Sequence, residues 1–218
     1  MKRLLSSVAA LALVAAPVVR GQGPMPISIG VRASTFGFGG EVALGLTDRV
    51  EVRGVGNYFS LGRDMDLSDV DFDVDLKLKS AGGLVDLYAG PLRLTAGGMW
   101  NGNRLGGTAT PTGTIDIGDT TYTASNIGTV AAGIDFKKFA PYLGIGLGGR
   151  GKVGFFFDLG VMFTGSPNIT YATTSTLTGA ARTQLDQEVQ TEIDQIEDDI
   201  KFFKYWPMVG LGLRFRLN

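Results

Sequence analysis

Val70-Asp71-Phe72-Asp73-Val74-Asp75-Leu76-Lys77-Leu78-Lys79 alternates apolar and charged side chains without a fault. A β-strand sends successive side chains to opposite faces, so Val70, Phe72, Val74, Leu76 and Leu78 share one face. Asp71, Asp73, Asp75, Lys77 and Lys79 share the other. A helix would mix the two sets around its circumference, so the period of two marks a strand with two chemically different sides.

The same period governs most of the chain from Ile27 onward. Near the other end Val209, Leu211, Leu213, Phe215 and Leu217 oppose Gly210, Gly212, Arg214 and Arg216. Further strands are read at Val42/Leu44/Leu46, at Val50/Val52 with Glu51 and Arg53 opposite, and at Leu92/Leu94/Ala96 with Arg93 opposite. Others are Val130/Ala132/Ile134, Leu143/Ile145/Leu147 with glycines opposite, and Phe155/Phe157/Leu159/Val161/Phe163 with Asp158 opposite. After Ile27 no apolar run reaches the roughly 20 residues that a membrane helix needs.

Alternation suits a soluble sandwich, with its apolar face inside, and a membrane barrel, with its apolar face on lipid. Three features favour the barrel. Lys2 and Arg3 precede an apolar run over 4–14, broken only by Ser6 and Ser7, and then Ala15-Ala16-Pro17-Val18, which is the pattern of an export signal. Glycine supplies 33 of the 218 residues, roughly twice ordinary usage, and gathers on the non-apolar strand faces. Tyr58/Phe59, Tyr88, Trp100, Phe136/Phe139, Tyr142, Phe163 and Tyr205/Trp206 lie beside turns, where interfacial aromatic girdles belong. The expected division is a signal peptide over 1–23, cleaved near Gly21–Gly23, followed by a barrel domain over 24–218. No cysteine follows the signal, so no lipid anchor is expected.

Short connections are read at Thr47-Asp48-Arg49, Ala89-Gly90-Pro91 and Gly148 to Gly151, with others at Lys137 to Pro141 and Gly165 to Pro167. Longer ones cover 62–69, 102–125 and 178–204. Splitting the chain at every turn signal gives ten strands. Continuing through Pro141 and Pro167, where Phe163, Ile169 and Tyr171 keep one phase, gives eight, which suits the mature length better. The expected architecture is therefore a closed antiparallel up-and-down transmembrane β-barrel of eight strands, with ten as the alternative. One amphipathic helix is expected near 183–203, capped by Thr183, its stripe formed by Leu185, Val189, Ile193, Ile196, Ile200 and Phe203. Asp186, Glu188, Glu192, Asp194, Glu197, Asp198 and Asp199 make its other face acidic. Packing of the stripe on the barrel rim is one expectation for this helix, and an unknown binding partner the other.

The export signal, the alternating strands, Ala140-Pro141-Tyr142-Leu143-Gly144-Ile145-Gly146 and Tyr205-Trp206-Pro207-Met208-Val209-Gly210-Leu211-Gly212-Leu213-Arg214-Phe215-Arg216 together resemble small bacterial outer-membrane β-barrel proteins of the OmpA-like and OmpW-like class. The likeness covers essentially the whole mature chain and is nearest to an uncharacterised proteobacterial branch. It implies residence in the outer membrane of a Gram-negative bacterium, contact with outer-membrane lipid, and assembly machinery that engages the C-terminal strand. In that class the closing strand usually ends in an aromatic residue. Here the sequence ends Phe215-Arg216-Leu217-Asn218.

The chain has neither cysteine nor histidine. Disulfides, Cys/His metal centres and histidine acid–base catalysis are thereby excluded. A formal net charge of −1 argues against nucleic acid. Gly144, Gly146 and Gly149 match a GxGxxG spacing, but no helix follows to receive a phosphate, so they read as small residues on a strand. A calcium loop starting at Asp64 would need Gly at its sixth position and Glu at its twelfth, where Asp69 and Asp75 stand. Asp64, Asp66 and Asp69 remain only as a looser oxygen-ligand candidate in an outer loop, and no cofactor is expected. The richest chemistry is the set expected to face the lumen: Glu51, Arg53, Asp71, Asp73, Asp75, Lys77, Lys79, Arg93, Asp158, Arg214 and Arg216. An eight-stranded interior is just wide enough for side chains to fill, so mixed signs imply a salt-bridged plug. A structural or surface-exposed, non-enzymatic barrel is the expected function. A narrow channel for small solutes is the alternative, and a soluble periplasmic ligand-binding barrel a more distant one.

Overall fold

The structure is a computed structural model that describes residues 25–67, 70–118 and 120–218; the expected signal peptide lies outside them. The strands are β1 (Ile27–Ser34), β2 (Gly37–Gly45), β3 (Val50–Leu67), β4 (Val70–Ala89), β5 (Leu92–Asn101), β6 (Arg104–Pro111), β7 (Thr114–Ile117), β8 (Thr120–Thr123), β9 (Val130–Asp135), β10 (Phe139–Gly148), β11 (Val153–Phe163), β12 (Asn168–Thr173) and β13 (Tyr205–Arg216). Two helices, α1 (Ala124–Ile127) and α2 (Gly179–Asp199), complete the chain, with a 3-10 turn over Lys201–Lys204.

Eight strands form a ring in the order β1, β2, β3, β4, β5, β10, β11, β13, and β13 returns to pair with β1. Every neighbouring pair is antiparallel, so the ring is an up-and-down meander. Two excursions interrupt it: β6 to β9 between β5 and β10, and β12 with α2 between β11 and β13. β4 serves both parts. Its half from Ser80 to Ala89 pairs with β5, while its half from Val70 to Lys77 pairs with β6. Above one rim the sheet therefore continues, unclosed, as β3–β4–β6–β9–β12.

Eight ring strands answer the expected number, yet the chain reaches it by another route. It leaves the ring after Phe163, and Ile169 and Tyr171 pair with β9 rather than extending β11. Val130, Ala132 and Ile134 likewise belong to the upper sheet. The stretches expected as loops at 62–69 and 102–125 are in large part strand.

The ring reverses the polarity of an ordinary soluble sheet. Ile29, Val31, Val42, Leu44, Val52, Leu87, Leu94, Leu143, Ile145, Phe155, Leu211 and Leu213 all point outward and are exposed. Between the rims no outward position of a ring strand carries a charge. Phe38, Tyr58, Trp100, Phe139 and Tyr205 form an outward aromatic row near the rim from which the upper sheet rises, with Phe38 opposite Tyr58 and Phe139 opposite Trp100. Not every expected girdle residue faces outward. Tyr88 and Tyr142 are buried inside the ring, and Trp206 packs edge-on against Phe36 and Phe136.

α2 begins a turn earlier than the stripe suggested and ends at Asp199. Thr178 is its N-cap without a side-chain bond, and the Thr183 hydroxyl donates to the Gly179 carbonyl inside the helix. Leu185 and Val189 pack with Tyr122, Ile127, Ile115 and Ile117, so the stripe rests on the upper module and not on the ring's rim.

Candidate functional site

Charged side chains inside the ring gather in one layer. β1 contributes Arg32, β2 Glu41, β3 Glu51 and Arg53, β4 Asp86, β5 Arg93, β11 Asp158 and β13 Arg214. Four guanidinium groups thus meet four carboxylates. β10 supplies none: it passes with Gly144 and Gly146, and a side chain at Gly146 would collide with Asp158 and Arg93.

Arg53 lies at the centre. Its Nη1 is 2.9 Å from Glu41 Oε2 and 3.2 Å from Asp158 Oδ2, and its Nε is 2.9 Å from Asp86 Oδ2. Arg93 pairs with Asp158 and reaches Asp86 at 3.9 Å. Arg214 donates to Glu41 Oε1 at 2.5 Å and to Glu51 Oε1 at 2.7 Å. Arg32 completes the set, 3.5 Å from Glu41 and 3.7 Å from Asp158. The Tyr88 hydroxyl accepts from Arg93 and Arg214 and donates to Glu51, while the Thr95 hydroxyl donates to Asp86 at 2.6 Å. Arg93 and Arg214 also lie 5.7 and 5.5 Å from the Phe156 ring centre, which Gly212 makes room for.

The layers follow from reading inward residues along single strands. β3 presents Glu51, Arg53, Val55 and Asn57 in turn; β4, run backwards, presents Asp86, Leu84 and Ser80. Beyond the ionic layer lies an apolar one of Phe36, Val55, Leu84, Met99, Tyr142, Met162 and Met208. A polar layer then follows, where Asn57 donates to Ser80 at 3.0 Å and Asn103 accepts from the Lys79 amide at 2.9 Å. On the far side of the ionic layer, toward the short turns, Ser28, Glu51, Tyr88, Arg150 and Arg216 line an open vestibule of about 310 Å³.

Of the residues expected inside, Glu51, Arg53, Arg93, Asp158 and Arg214 come together, and Arg216 stands exposed at the vestibule. Asp71, Asp73, Asp75, Lys77 and Lys79 do not join them. Alternation runs unbroken through β4, where Ser80, Leu84, Asp86 and Tyr88 are buried, so the odd-numbered charges face outward. The first four lie on the part of β4 above the ring, with Lys79 at its rim, and there the charged face meets water. Asp64 is an exposed strand residue opposite Asp73 rather than a loop ligand, Asp66 pairs opposite Asp71, and Asp69 lies outside the described residues. Among the described residues no three potential metal ligands converge. Sequence reasoning missed Arg32, Glu41 and Asp86. Arg32 and Asp86 carried the same signal as Arg93, a single charge set between outward apolar neighbours, in stretches not read as strands, while Glu41 stands between Gly40 and Val42 just before the strand read at Val42.

A second polar cluster ties α2 to the upper module. Glu188 accepts from Thr120 at 2.6 Å, Gln184 at 3.0 Å and Tyr122 at 2.9 Å. Asp186 accepts from Arg182 at 3.0 Å and Tyr171 at 2.6 Å. These bonds hold both carboxyls below the usual carboxylate range, the Thr120 bond leading for Glu188 and the Arg182 bond for Asp186. Glu197 accepts from the Ile169 amide, and Asp198 pairs with Lys201. Much of the expected acidic face is therefore spent inside the molecule.

No family model matches the chain, and no curated protein does. Two solved structures share its fold. CarO of Acinetobacter baumannii is 19% identical at a TM-score of 0.57, with 88% of this chain and 97% of that one covered. CarO2 of the same organism is 19% identical at a TM-score of 0.56, covering 88% and 98%. Both are small outer-membrane β-barrels, and the chain is similar to them in fold.

Proposed function

We propose that this chain is an integral outer-membrane β-barrel of the OmpA-like and OmpW-like class, exported by segment 1–23, with a sealed, charge-filled interior and a structural or surface-exposed, non-enzymatic role. The observation that carries it is the ring's reversed polarity: an uncharged apolar outside around four buried arginines and four carboxylates. Strands of about ten residues match the 9–11 that cross a bilayer when tilted, and a ring leaves no backbone edge in lipid. A soluble ligand-binding barrel would place this continuous apolar wall in water, far beyond the patch size that monomers tolerate.

The connections at 46–49, 90–91 and 149–152 are short and share one rim, and the upper sheet with α2 rises from the other. Short turns belong on the periplasmic side, so the upper module is the part presented at the cell surface. β13, which returns to β1, is the segment offered to assembly machinery. The eight inner charges spend themselves on one another, and neither histidine nor cysteine is present to carry group transfer.

Planar-bilayer recording of the folded protein tests the sealed interior. Silence is expected, since a solute would have to part the ionic and the apolar layer together. Steady unitary currents altered by Arg53→Ala or Asp158→Ala would overturn it in favour of a narrow channel.

A further inference from the structure

We propose that one arc of the outer rim is a binding site for a phosphorylated lipid of the surrounding leaflet, its phosphates held by Lys79, Lys137, Lys138 and Lys204. The inference rests on the membrane-barrel reading and adds a ligand class to it. Backbone hydrogen bonds link the segments bearing these lysines across five consecutive ring strands. The Gly102 amide donates to the Lys79 carbonyl at 2.7 Å and the Asn101 amide to the Lys138 carbonyl at 2.7 Å. The Lys137 amide donates to Thr164 at 3.3 Å, and the Thr164 amide to Lys204 at 3.0 Å. Four strand-to-strand steps of about 4.8 Å give an arc of roughly 19 Å, the scale of a headgroup bearing more than one phosphate.

Charge on this arc is one-sided. The segments 99–103, 136–141, 162–167 and 202–207, with Lys79, contain four lysines and no carboxylate. Among the described residues none of the four makes an ion pair. The opposite arc, 33–40 and 55–61, is uncharged. Lysines that lack carboxylate partners and stand at a membrane edge attract anionic headgroups.

The lysines also sit where a lipid's two ends divide. Lys79 Nζ lies 5.7 Å from the Trp100 ring and Lys204 Nζ 5.1 Å from the Tyr205 ring, so each ammonium caps an outward aromatic. Below Lys79 the wall holds an open notch of about 280 Å³ between Phe38, Tyr58 and Trp100, floored by Gly56 and Ala81. An acyl chain can lie in that notch while its phosphate meets Lys79. Free phosphate would use only the cationic half of this geometry, so the lipid is the occupant.

The test is lipid retention by native mass spectrometry. The folded barrel is presented with diphosphorylated lipid A, its dephosphorylated form, or zwitterionic phosphatidylcholine. Diphosphorylated lipid should be retained at least tenfold over the other two. The K79Q/K137Q/K138Q/K204Q variant should lose that preference, whereas K152Q at the opposite rim should keep it. Equal retention of all three lipids by inserted, heat-modifiable protein would overturn the site. Loss of the preference on adding millimolar inorganic phosphate at constant ionic strength would assign the lysines to free phosphate and also overturn it. Failure of the wild type to insert into any lipid would instead sink the barrel reading beneath it.

Discussion

Asp158 stands between Arg32, Arg53 and Arg93, with its carboxylate almost wholly withdrawn from water. Removing one member of a buried ionic set costs about 3–5 kcal/mol, because the partners keep their charge without compensation. Asp158→Ala should therefore lower the temperature at which the folded band converts on heat-modifiability gels far more than Glu51→Ala does. Glu51 opens on the vestibule, where water can replace the lost carboxylate. Equal shifts from the two variants would show the layer to be hydrated. At this scale the sequence was a good guide to Arg53, Arg93, Asp158 and Arg214, since a lone charge between apolar neighbours on a strand points away from them. It misled at Asp71 to Lys79. Alternation defines two faces, but which face is inside is settled further along β4, where Ser80, Leu84, Asp86 and Tyr88 turn in, and the charges from Asp71 to Lys77 stand above the ring because that half pairs with β6, at separations of 27 to 41 residues.

α2 was visible as an element because its apolar residues recur at helical spacing. Its start was not, since Gly179-Ala180-Ala181 carries no stripe and Thr178 makes no capping bond. Its packing site was equally hidden: of the residues it meets, Tyr122 lies in the stretch 102–125 that reads as a connection and Ile127 just beyond it. The attachment makes a prediction about pH. A carboxyl whose folded value lies below its unfolded one gives its full stabilisation above the unfolded value and loses it as pH falls through the folded one. Glu188 and Asp186 are both lowered, so the clamp holds at neutral pH and loosens only in acid, as the pH falls below the ordinary carboxylate range. Tyr122 and Tyr171, pushed up by burial and by the carboxylates they donate to, remain neutral donors throughout that range. Hydrogen exchange should show α2 amides losing protection as the pH is lowered from neutrality through and below the ordinary carboxylate range, while ring amides keep theirs. Loss of both together would mean that the module and the ring unfold as one unit.

For the whole molecule, the sequence conveyed the two-faced strands, the apolar outside and the number of ring strands. It did not convey the excursions, because β6, β9 and β12 alternate as ring strands do and differ only in the partner they find. The central claim, a ring turned inside out toward lipid, is most directly tested with its two tryptophans. Trp100 points outward at the aromatic row, while Trp206 turns inward against Phe36, Phe136 and Phe203. Single-tryptophan proteins, Trp206→Phe and Trp100→Phe, would be folded into vesicles containing brominated phosphatidylcholine. Strong quenching of Trp100 with Trp206 nearly unaffected is the predicted result; equal quenching of both, or of neither, would contradict it.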